Sequence, residues 1–249
     1  MHRFQIYPDS QKNGQVVLDK AESRHALTVL RVKPGEVVEL LDGKGGVFQG
    51  IVAGIDRGAV KVSVSVLMPK KPNTVAITLA VSVIKPDAME LLVQKACELG
   101  AHAIIPIISE RTVVRLSRER WESKNQRWQK IARESCKQCG QSTVPIVRPV
   151  EEFKKFIEAI ADYDLALIPT LALPVEGLYQ TLNSSKGAKS ILLLIGPEGD
   201  FSQNEALGAV KHGAKPVSLG PLVLRSETAA MQALSNIEFF YREIAAGGK

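Results

Sequence analysis

The sequence predicts an α/β protein in which a β-rich amino-terminal part precedes a larger part built on a mainly parallel sheet. Over residues 59–66, valine alternates with small or polar residues, which is the period of a half-buried strand. From Val75 onward, apolar strand-like runs alternate with helical runs, as they do in βαβ units. Near the carboxyl end, two of the strand-like runs each end in a glycine-bearing turn.

The amino-terminal part is typical of a small β-barrel. The runs EVVELL and GVFQGIVA flank a DGKGG turn, as the two arms of a hairpin do. Residues 68–73 contain two prolines and two lysines and predict a linker. We therefore expect a first domain over residues 1–70 and a second over residues 73–249.

The second part has the strand and helix order of a parallel sheet. The strand VAITLAVSVI is followed by Pro86, which suits the first turn of a helix, then by an apolar stripe and by Gly100 at the helix end. The strand AIIPII comes next, and similar strands recur at DLALIP and ILLLI. The expected result is a largely parallel sheet with helices on both faces.

The first glycine-bearing turn follows the branched apolar run at residues 191–195. Gly196 and Gly199 end this strand. Ser202 and Glu205 then form an S-x-x-E capping box, so a helix is expected to begin directly after Ser202.

The second glycine-bearing turn follows a short strand at residues 217–219. Gly220 ends it, and a capped helix is expected from Ser226. Loops at the carboxyl ends of parallel strands bind ligands, and glycine lets the backbone approach a ligand closely. The two turns therefore predict a cofactor cleft. Because neither G-x-x-x-x-G-K-[ST] nor a strand-following G-x-G-x-x-G occurs, the usual signals for nucleoside triphosphates and dinucleotides are missing.

Composition favours a cytoplasmic two-domain protein with no membrane partner. The 249 residues are 45% hydrophobic, enough for real cores. No apolar run reaches about 18 residues, and MHRFQIYPDS lacks the apolar centre of a signal peptide. Cys97, Cys136 and Cys139 are too few for a disulfide framework, and we interpret them as structural thiols with no bound metal.

The charge distribution favours an anionic partner. The formal net charge is +6. Nine cations crowd one segment against three glutamates: Arg111, Arg115, Arg118, Arg120, Lys124, Arg127, Lys130, Arg133 and Lys137. A solvated helix face and a phosphate-binding surface are the two interpretations of this segment.

The two loops resemble, in residues and in order, those of the knotted SPOUT class of S-adenosylmethionine-dependent RNA methyltransferases. The RsmE family is the nearest match, with IGPEGD at residues 195–200 and LGPLVLRSETA at residues 219–229. The runs QKACELGAHAIIP at residues 94–106, CGQSTVP at residues 139–145 and HALTVLRVKPGE at residues 25–36 are also similar to this family.

The resemblance implies a SPOUT α/β domain with a carboxy-terminal trefoil knot, preceded by a PUA-like β-barrel that binds RNA. It implies S-adenosylmethionine-dependent methylation of N3 of a uridine, of the type numbered 1498, in 16S ribosomal RNA, free or in the small subunit, by a homodimer. Two alternatives stay open. One is a SPOUT enzyme that modifies another ribosomal or transfer RNA position, and the other is an RNA-binding assembly factor without catalysis.

The resemblance also assigns candidate residues. The cofactor pocket would be lined by Leu171, Gly196, Gly199, Leu219, Gly220, Leu222 and Leu224, although core packing and tight turns are the alternatives for each residue singly. The residues expected to contact RNA are Arg3, Arg24, His25, Arg31, Arg111, Arg118, Arg127 and Lys130. His25 could equally be a packed histidine, and Arg111 could lie near the substrate or bind a phosphate.

Arg225 and Glu198 are the candidate catalytic residues. Methylation at N3 needs an anionic uracil, and a fixed guanidinium beside a carbonyl oxygen stabilises that anion, which favours Arg225. Glu198 is the candidate to accept a proton or to orient Arg225, and capping of loop N–H groups is its alternative role.

Three positions depart from the family pattern. Asp200 stands where a second glycine is common, and Asp tolerates positive φ well enough to keep the loop shape. Lys137 and Gln141 stand where Glu and Arg are common, which bears on RNA contact.

The last helix carries an apolar stripe that suits either the monomer core or a dimer contact: Ala230, Leu234, Ile237, Tyr241 and Ile244.

Overall fold

The computed structural model describes residues 1–7, 11–12, 14–68 and 75–245. The chain forms two compact units. The first comprises Met1–Pro72 and Arg133–Val144, and the second comprises Asn73–Ala132 and Pro145–Lys249. Of the linker predicted at residues 68–73, only Met68 lies within the described residues, so the domain boundaries expected from the sequence stay a prediction.

The first unit is built on a six-stranded sheet. Its strands are β1 (His2–Gln5), β2 (Gln11–Lys12), β3 (Gln15–Val17), β4 (Val37–Leu41), β5 (Val47–Asp56) and β6 (Ala59–Met68). They lie in the order β1-β4-β5-β6-β3-β2, with β1 parallel to β4 and the other pairs antiparallel. The helix α1 (Lys20–Arg24) and a π-helix (His25–Leu30) connect β3 to β4.

The predicted hairpin is present between β4 and β5. The Asp42 carboxylate closes its turn by accepting from the backbone N–H of Lys44 at 2.8 Å and of Gly46 at 2.7 Å. Of the alternating valines on β6, Val60 and Val62 are fully buried, which confirms the half-buried strand.

The last residues of a long helix also belong to this unit. This helix, α3 (Arg118–Cys139), contributes Arg133 onward, and Arg3 donates from Nη1 to the carbonyl of Gln138 at 3.0 Å. The C-x-x-C cysteines lie in its last turn, where neither forms a disulfide, with Cys136 buried and Cys139 exposed.

The second unit is built on an eight-stranded sheet in which every pairing is parallel. Its strands are β7 (Ala76–Ser82), β8 (Ala103–Ile108), β9 (Ile146–Val147), β10 (Glu151–Glu152), β11 (Leu165–Pro169), β12 (Glu176–Gly177), β13 (Ser190–Ile195) and β14 (Ala214–Ser218). The order is β10-β8-β7-β13-β11-β14-β12, with β9 beside β8. The prediction of a mainly parallel sheet is confirmed.

Helices cover both faces of this sheet. The helices of this unit are α2 (Pro86–Glu98), the first part of α3, α4 (Phe153–Phe156) with a 3₁₀ helix (Ile157–Asp162), α5 (Leu178–Asn183), α6 (Gln203–Lys211), α7 (Ser226–Phe239) and a final π-helix (Phe240–Ala245). Leu192 and Leu194 pack in one cluster with residues of α4 and α6, such as Phe153 and Ala206. Since neighbouring strand residues point to opposite faces, the equally buried Leu193 faces the other side, where α7 packs on β13 and α2.

The apolar stripe of the last helix belongs to the core of the monomer. Ala230, Leu234, Ile237 and Tyr241 are at most 3% exposed. The side chain of Ile244 lies outside the description. In the described residues, no helix combines the length and apolar character needed to cross a membrane.

Candidate active site

A cavity of about 620 Å³ opens at the carboxyl ends of three adjacent parallel strands, β11, β13 and β14. Its walls include Pro169, Ile195 and Ser218, which end or nearly end these strands. The seven residues predicted to hold a cofactor all line it: Leu171, Gly196, Gly199, Leu219, Gly220, Leu222 and Leu224. The two glycine turns, which are separated in the sequence, therefore meet in one cavity at the sheet edge that ligands prefer.

The first loop, residues 196–200, depends on glycine only at its start. A Cβ added to Gly196 would lie 2.8 Å from the backbone nitrogen of Phe201, closer than real Cβ contacts allow. Among the described residues, a Cβ on Gly199 would meet only Arg111 Cδ, at an ordinary 3.5 Å. Asp200 adopts φ 61°, so the expectation that Asp would keep the glycine conformation is confirmed.

The Asp200 carboxylate joins this loop to the loop that follows β11. Its Oδ2 accepts from Thr170 Oγ1 at 2.9 Å and from the backbone N–H of Leu171 at 2.8 Å. Its Oδ1 accepts from the backbone N–H of Phe201 at 2.7 Å. Two walls of the cavity are thus tied by one side chain.

The second loop, residues 219–225, is anchored to α7. Gln232 donates from Nε2 to the carbonyl of Leu219 at 2.7 Å. Gly220 has φ 126°, a conformation that strains any residue with a Cβ. The helix begins at Ser226 as predicted, but Arg225 occupies the N-cap position and no side chain caps it. Ser226 is instead the first helical residue and is buried.

The mouth of the cavity exposes large apolar side chains. Leu171 is 71% exposed, Leu222 75% and Val223 77%. Core packing is therefore wrong as an interpretation of Leu171 and Leu222, while Leu219 and Leu224 are partly buried. Clustered exposed apolar residues beside a cavity are typical of a binding site.

Arg111 lies against the first loop. Its Nη1 donates to the carbonyl of Gly199 at 2.6 Å, and the side chain lines the cavity. The turn that carries Arg111 is fixed by the buried Glu205, whose Oε1 accepts from the backbone N–H of Glu110 at 2.8 Å. The other oxygen of Glu205 accepts from the N–H of Ser202 at 3.0 Å, which completes the predicted capping box.

The structure does not bring the two candidate catalytic side chains together. Glu198 lines the cavity and accepts from the backbone N–H of Lys85, at the start of α2, at 3.4 Å. Arg225 is exposed and is not among the lining residues, although its neighbour Ser226 is. Within the described residues no hydrogen bond or ion pair joins Glu198 to Arg225, so Glu198 does not orient the guanidinium here.

The RNA candidates of the first unit differ in availability. Arg3 is engaged, because its Nε donates to Glu39 at 2.9 Å in addition to the Gln138 contact. Arg24 and Arg31 are exposed, and Arg31 ends the π-helix with φ 54°. His25 begins that helix and is half-buried.

The RNA candidates on α3 also differ. Arg127 forms a bidentate ion pair with Glu90, with one contact of 2.7 Å, and this hydrogen bond lowers the pKa of Glu90. Arg118 pairs with Glu122 at 3.2 Å. Lys130 is exposed and has no acidic partner within the described part of the chain.

Lys137, one of the departures from the family pattern, is neutralised by two glutamates. Its Nζ lies 2.9 Å from both Glu22 and Glu134. Burial by itself would lower the pKa of Lys137, and the hydrogen bonds to the two glutamates raise it above its ordinary value. This lysine is therefore held inside the first unit.

Among the residues that shape the cavity, sequence reasoning missed Thr170, Val175 and Gln232. Thr170 directly follows the predicted strand DLALIP, so the rule for strand ends could have found it. No local pattern marks Val175, which lines the wall, or Gln232, which holds the second loop from α7.

Comparisons with known proteins identify the class. Residues 71–238 match the profile described as RNA methyltransferase domain, and residues 18–65 match the RNA methyltransferase PUA domain. With the parallel sheet and the cavity at its edge, these matches define an RNA methyltransferase that carries a PUA domain.

Individual relatives narrow the class. Ribosomal RNA small subunit methyltransferase E of Synechocystis sp. is 30% identical over 95% of this chain and 77% of its own length. The protein of that name from Bacillus subtilis is 30% identical over 88% of this chain and 87% of its own length. A crystal structure of the enzyme from Neisseria gonorrhoeae, bound to S-adenosyl methionine, has TM-score 0.86 and 32% identity and covers 96% of this chain and 98% of that one. The chain belongs to the ribosomal RNA small subunit methyltransferase E family.

Proposed function

We propose that the enzyme binds S-adenosylmethionine in the cavity at the ends of β11, β13 and β14. We further propose that it methylates N3 of a specific uridine, of the 1498 type, in 16S ribosomal RNA. The observation that carries this proposal is the meeting of both glycine loops in one cavity. Family membership and the S-adenosyl methionine-bound relative support it.

The cavity fits this cofactor in size and character. Its volume of about 620 Å³ lies in the range of roughly 300–1,000 Å³ that small-molecule pockets occupy. Exposed leucines suit an adenine ring, and the glycine turns offer backbone groups to polar atoms. Leu171, Gly196 and Gly199 would hold one side, and the other side would be formed by Leu219, Gly220, Leu222 and Leu224. When bound, S-adenosylmethionine supplies a methyl group already activated by a sulfonium.

The remaining chemical task for the protein is to make N3 nucleophilic. Uracil N3 is a weak acid whose anion spreads onto O2 and O4. Arg225 suits the stabilisation of that anion, because its guanidinium stays charged, is exposed beside the cavity and has no described partner to release first. Glu198 remains the candidate to accept the N3 proton, since among the described residues a single backbone N–H, at 3.4 Å, engages its carboxylate.

RNA binding would use cations that have no acidic partner within the described residues. In the first unit these are Arg24 and Arg31, with His25 beside them on the π-helix. In the second unit, the predicted residue Lys130 is exposed and has no acidic partner among the described residues. Arg111 would bind RNA at the edge of the cavity. Phosphate contacts of this kind position an RNA without reading its sequence.

The substrate is expected to be ribosomal RNA, free or within the small subunit, which would make the enzyme cytoplasmic. A homodimer and a carboxy-terminal trefoil knot belong to the same proposal. The exposed Leu222 and Val223 at the cavity mouth support a dimer contact there, since the stripe on α7 is used by the monomer core.

Nucleoside mapping tests the function directly. Ribosomal RNA from a strain that lacks this gene should lose one N3-methyluridine, and the purified enzyme with S-adenosylmethionine should restore it on small subunits or on free RNA. Loss of a ribose methylation or of a transfer RNA modification would support the alternative SPOUT activities. An unchanged set of modified nucleosides would favour the assembly factor.

A further inference from the structure

We propose that Asp200 is a positioning residue of the cofactor cavity. Its carboxylate ties the loop at residues 170–172 to the loop at residues 196–200, so that two walls of the cavity are set before the cofactor enters. This inference rests on the proposed function, because it assumes that S-adenosylmethionine binds in this cavity.

Asp200 contacts two consecutive residues of the opposite loop directly and reaches a third through Thr170. Oδ2 accepts from Thr170 Oγ1 at 2.9 Å and from Leu171 N–H at 2.8 Å. Thr170 Oγ1 in turn accepts from the N–H of Ala172 at 3.1 Å. Thr170 is 8% exposed, so this network is shielded from water on its threonine side, where hydrogen bonds are stronger.

The backbone of Asp200 indicates that its side chain matters. At φ 61°, glycine would be at ease and a residue with a Cβ is disfavoured. A disfavoured backbone conformation persists where the surrounding contacts stabilise it. Here three hydrogen bonds to the Asp200 carboxylate supply that stabilisation. A glycine could keep the turn but could not hold the neighbouring loop.

Leu171 depends on this tie for its place on the wall. Its side chain is 71% exposed, so apolar packing fixes it weakly. The backbone N–H of Leu171 donates to Asp200 Oδ2, and this hydrogen bond holds the residue beside the first loop. If the cavity wall is ordered before binding, the cofactor does not have to order it. The entropic cost of binding is then smaller, and the affinity is higher.

Two variants separate positioning from direct contact with the cofactor. Asp200→Gly keeps the backbone conformation and removes the carboxylate. Thr170→Val removes the hydroxyl partner and leaves Asp200 in place. Both proteins should fold, because the first relieves the left-handed φ and the second nearly keeps the side-chain volume.

The first readout needs no cofactor. In the ligand-free protein, hydrogen exchange at the Leu171 amide should accelerate at least about tenfold in Asp200→Gly, because its acceptor is gone. The second readout is calorimetry with S-adenosylhomocysteine, an unreactive probe. Its Kd should rise about tenfold in Asp200→Gly and by a smaller factor in Thr170→Val. In the double variant, the Kd should rise by less than the product of these two factors. In steady-state assays, the KM for S-adenosylmethionine should rise more than kcat falls.

Each outcome has one meaning. Normal S-adenosylhomocysteine affinity in Asp200→Gly would overturn the positioning role. Two other results would instead assign Asp200 to direct contact with the ligand. One is a loss of affinity in Asp200→Gly with no change in Thr170→Val, and the other is a Kd in the double variant that rises by the full product of the two single factors. Failure of the wild-type protein to bind either S-adenosylmethionine or S-adenosylhomocysteine would remove the proposed cofactor itself, and the inference with it.

Discussion

Arg111 and Gly199, 88 residues apart in the sequence, are joined by a hydrogen bond of 2.6 Å from the guanidinium to the backbone carbonyl. The arginine arrives from the turn after β8, and the glycine belongs to the loop after β13. An arginine expected to contact RNA therefore also supports the wall of the cofactor cavity. These two roles predict different measurements.

Replacement of Arg111 by Met should weaken cofactor binding. The variant keeps most of the aliphatic stem and loses the charge-assisted bond to Gly199, so the Kd for S-adenosylhomocysteine should rise about tenfold or more. Calorimetry gives the Kd, and Arg115→Met, an exposed arginine on the same segment, is the matched control. If only the salt dependence of RNA binding changes, Arg111 is a phosphate contact and not a support of the cavity.

Replacement of Gly199 by Ala is the sharpest test that backbone approaches the cofactor in the first loop. Its φ lies outside the left-handed region and the new Cβ meets only Arg111 Cδ at 3.5 Å, so the Tm should stay unchanged. The Kd for S-adenosylhomocysteine should nevertheless rise about tenfold or more, as expected where a methyl group intrudes on a fitted ligand. Unchanged affinity would remove Gly199 from the contact surface.

Gly196 and Gly220 cannot serve for that test. Gly220→Val would be strained at φ 126° whether or not a ligand binds, and Gly196→Ala would strike the backbone nitrogen of Phe201 at 2.8 Å. Both variants should lose cofactor binding together with loop stability. The sequence identified all three glycines and offered two roles for them, close approach to a ligand and a tight turn. The structure requires glycine at Gly196 because of a steric clash and at Gly220 because of its φ, and it leaves room for a Cβ at Gly199.

The elements that the sequence predicted well are those whose stabilising contacts join residues a few positions apart in the chain. The capping box of Ser202 and Glu205 is an example, because both of its hydrogen bonds close within one helical turn. The tie between Asp200 and Thr170 spans 30 residues and depends on β11 lying beside β13, which no local pattern encodes. The N-cap of α7 shows the limit at short range, since a serine suited to capping lies one residue inside the helix.

The cations of α3 that lack an acidic partner among the described residues should carry more of the RNA affinity than the paired ones. Lys130→Gln should reduce the slope of log affinity against log salt by roughly 0.7 for a single strand or 0.9 for a duplex, if its ammonium binds one phosphate. Arg127→Gln should change the slope less, because Glu90 already neutralises that guanidinium. Filter binding across salt concentrations measures both slopes, with Lys211→Gln, an exposed lysine of α6, as the control. Equal slopes for all three variants would make this face of α3 a solvated surface only.

Tyr241 should make stability fall at alkaline pH. Its hydroxyl donates to the carbonyl of Ser185 at 2.6 Å, and burial, with the nearby Asp164 carboxylate, raises the pKa of Tyr241 to about 12. Because the folded value exceeds the ordinary value of 10.0, the stabilisation is complete below pH 10 and is lost as the pH rises towards 12. Tyr241→Phe should cost about 1 kcal/mol at neutral pH, and its difference from wild type should shrink above pH 10.

Urea unfolding at a series of pH values measures that difference. Tyr179→Phe is the matched control, since its side chain is 58% exposed and should show little change at any pH. A Tyr241→Phe difference that stays constant up to pH 11.5 would contradict the assignment.

Arg225→Lys should slow methyl transfer and leave binding nearly unchanged. The guanidinium has no partner in the described residues, so the fold should not depend on it. If it stabilises the uracil anion as N3 loses its proton, a point charge on a flexible stem is a poor replacement for a planar donor, and the rate should fall roughly a hundredfold. The rate of the uncharged Arg225→Gln variant should fall further. The deficit of both variants should shrink as pH rises, because hydroxide then removes the N3 proton without the protein. Single-turnover transfer at saturating S-adenosylmethionine and RNA, measured across pH, separates these effects from binding. A full rate in Arg225→Lys would exclude Arg225 from the chemistry, and a deficit that does not vary with pH would leave it only a role in positioning the base.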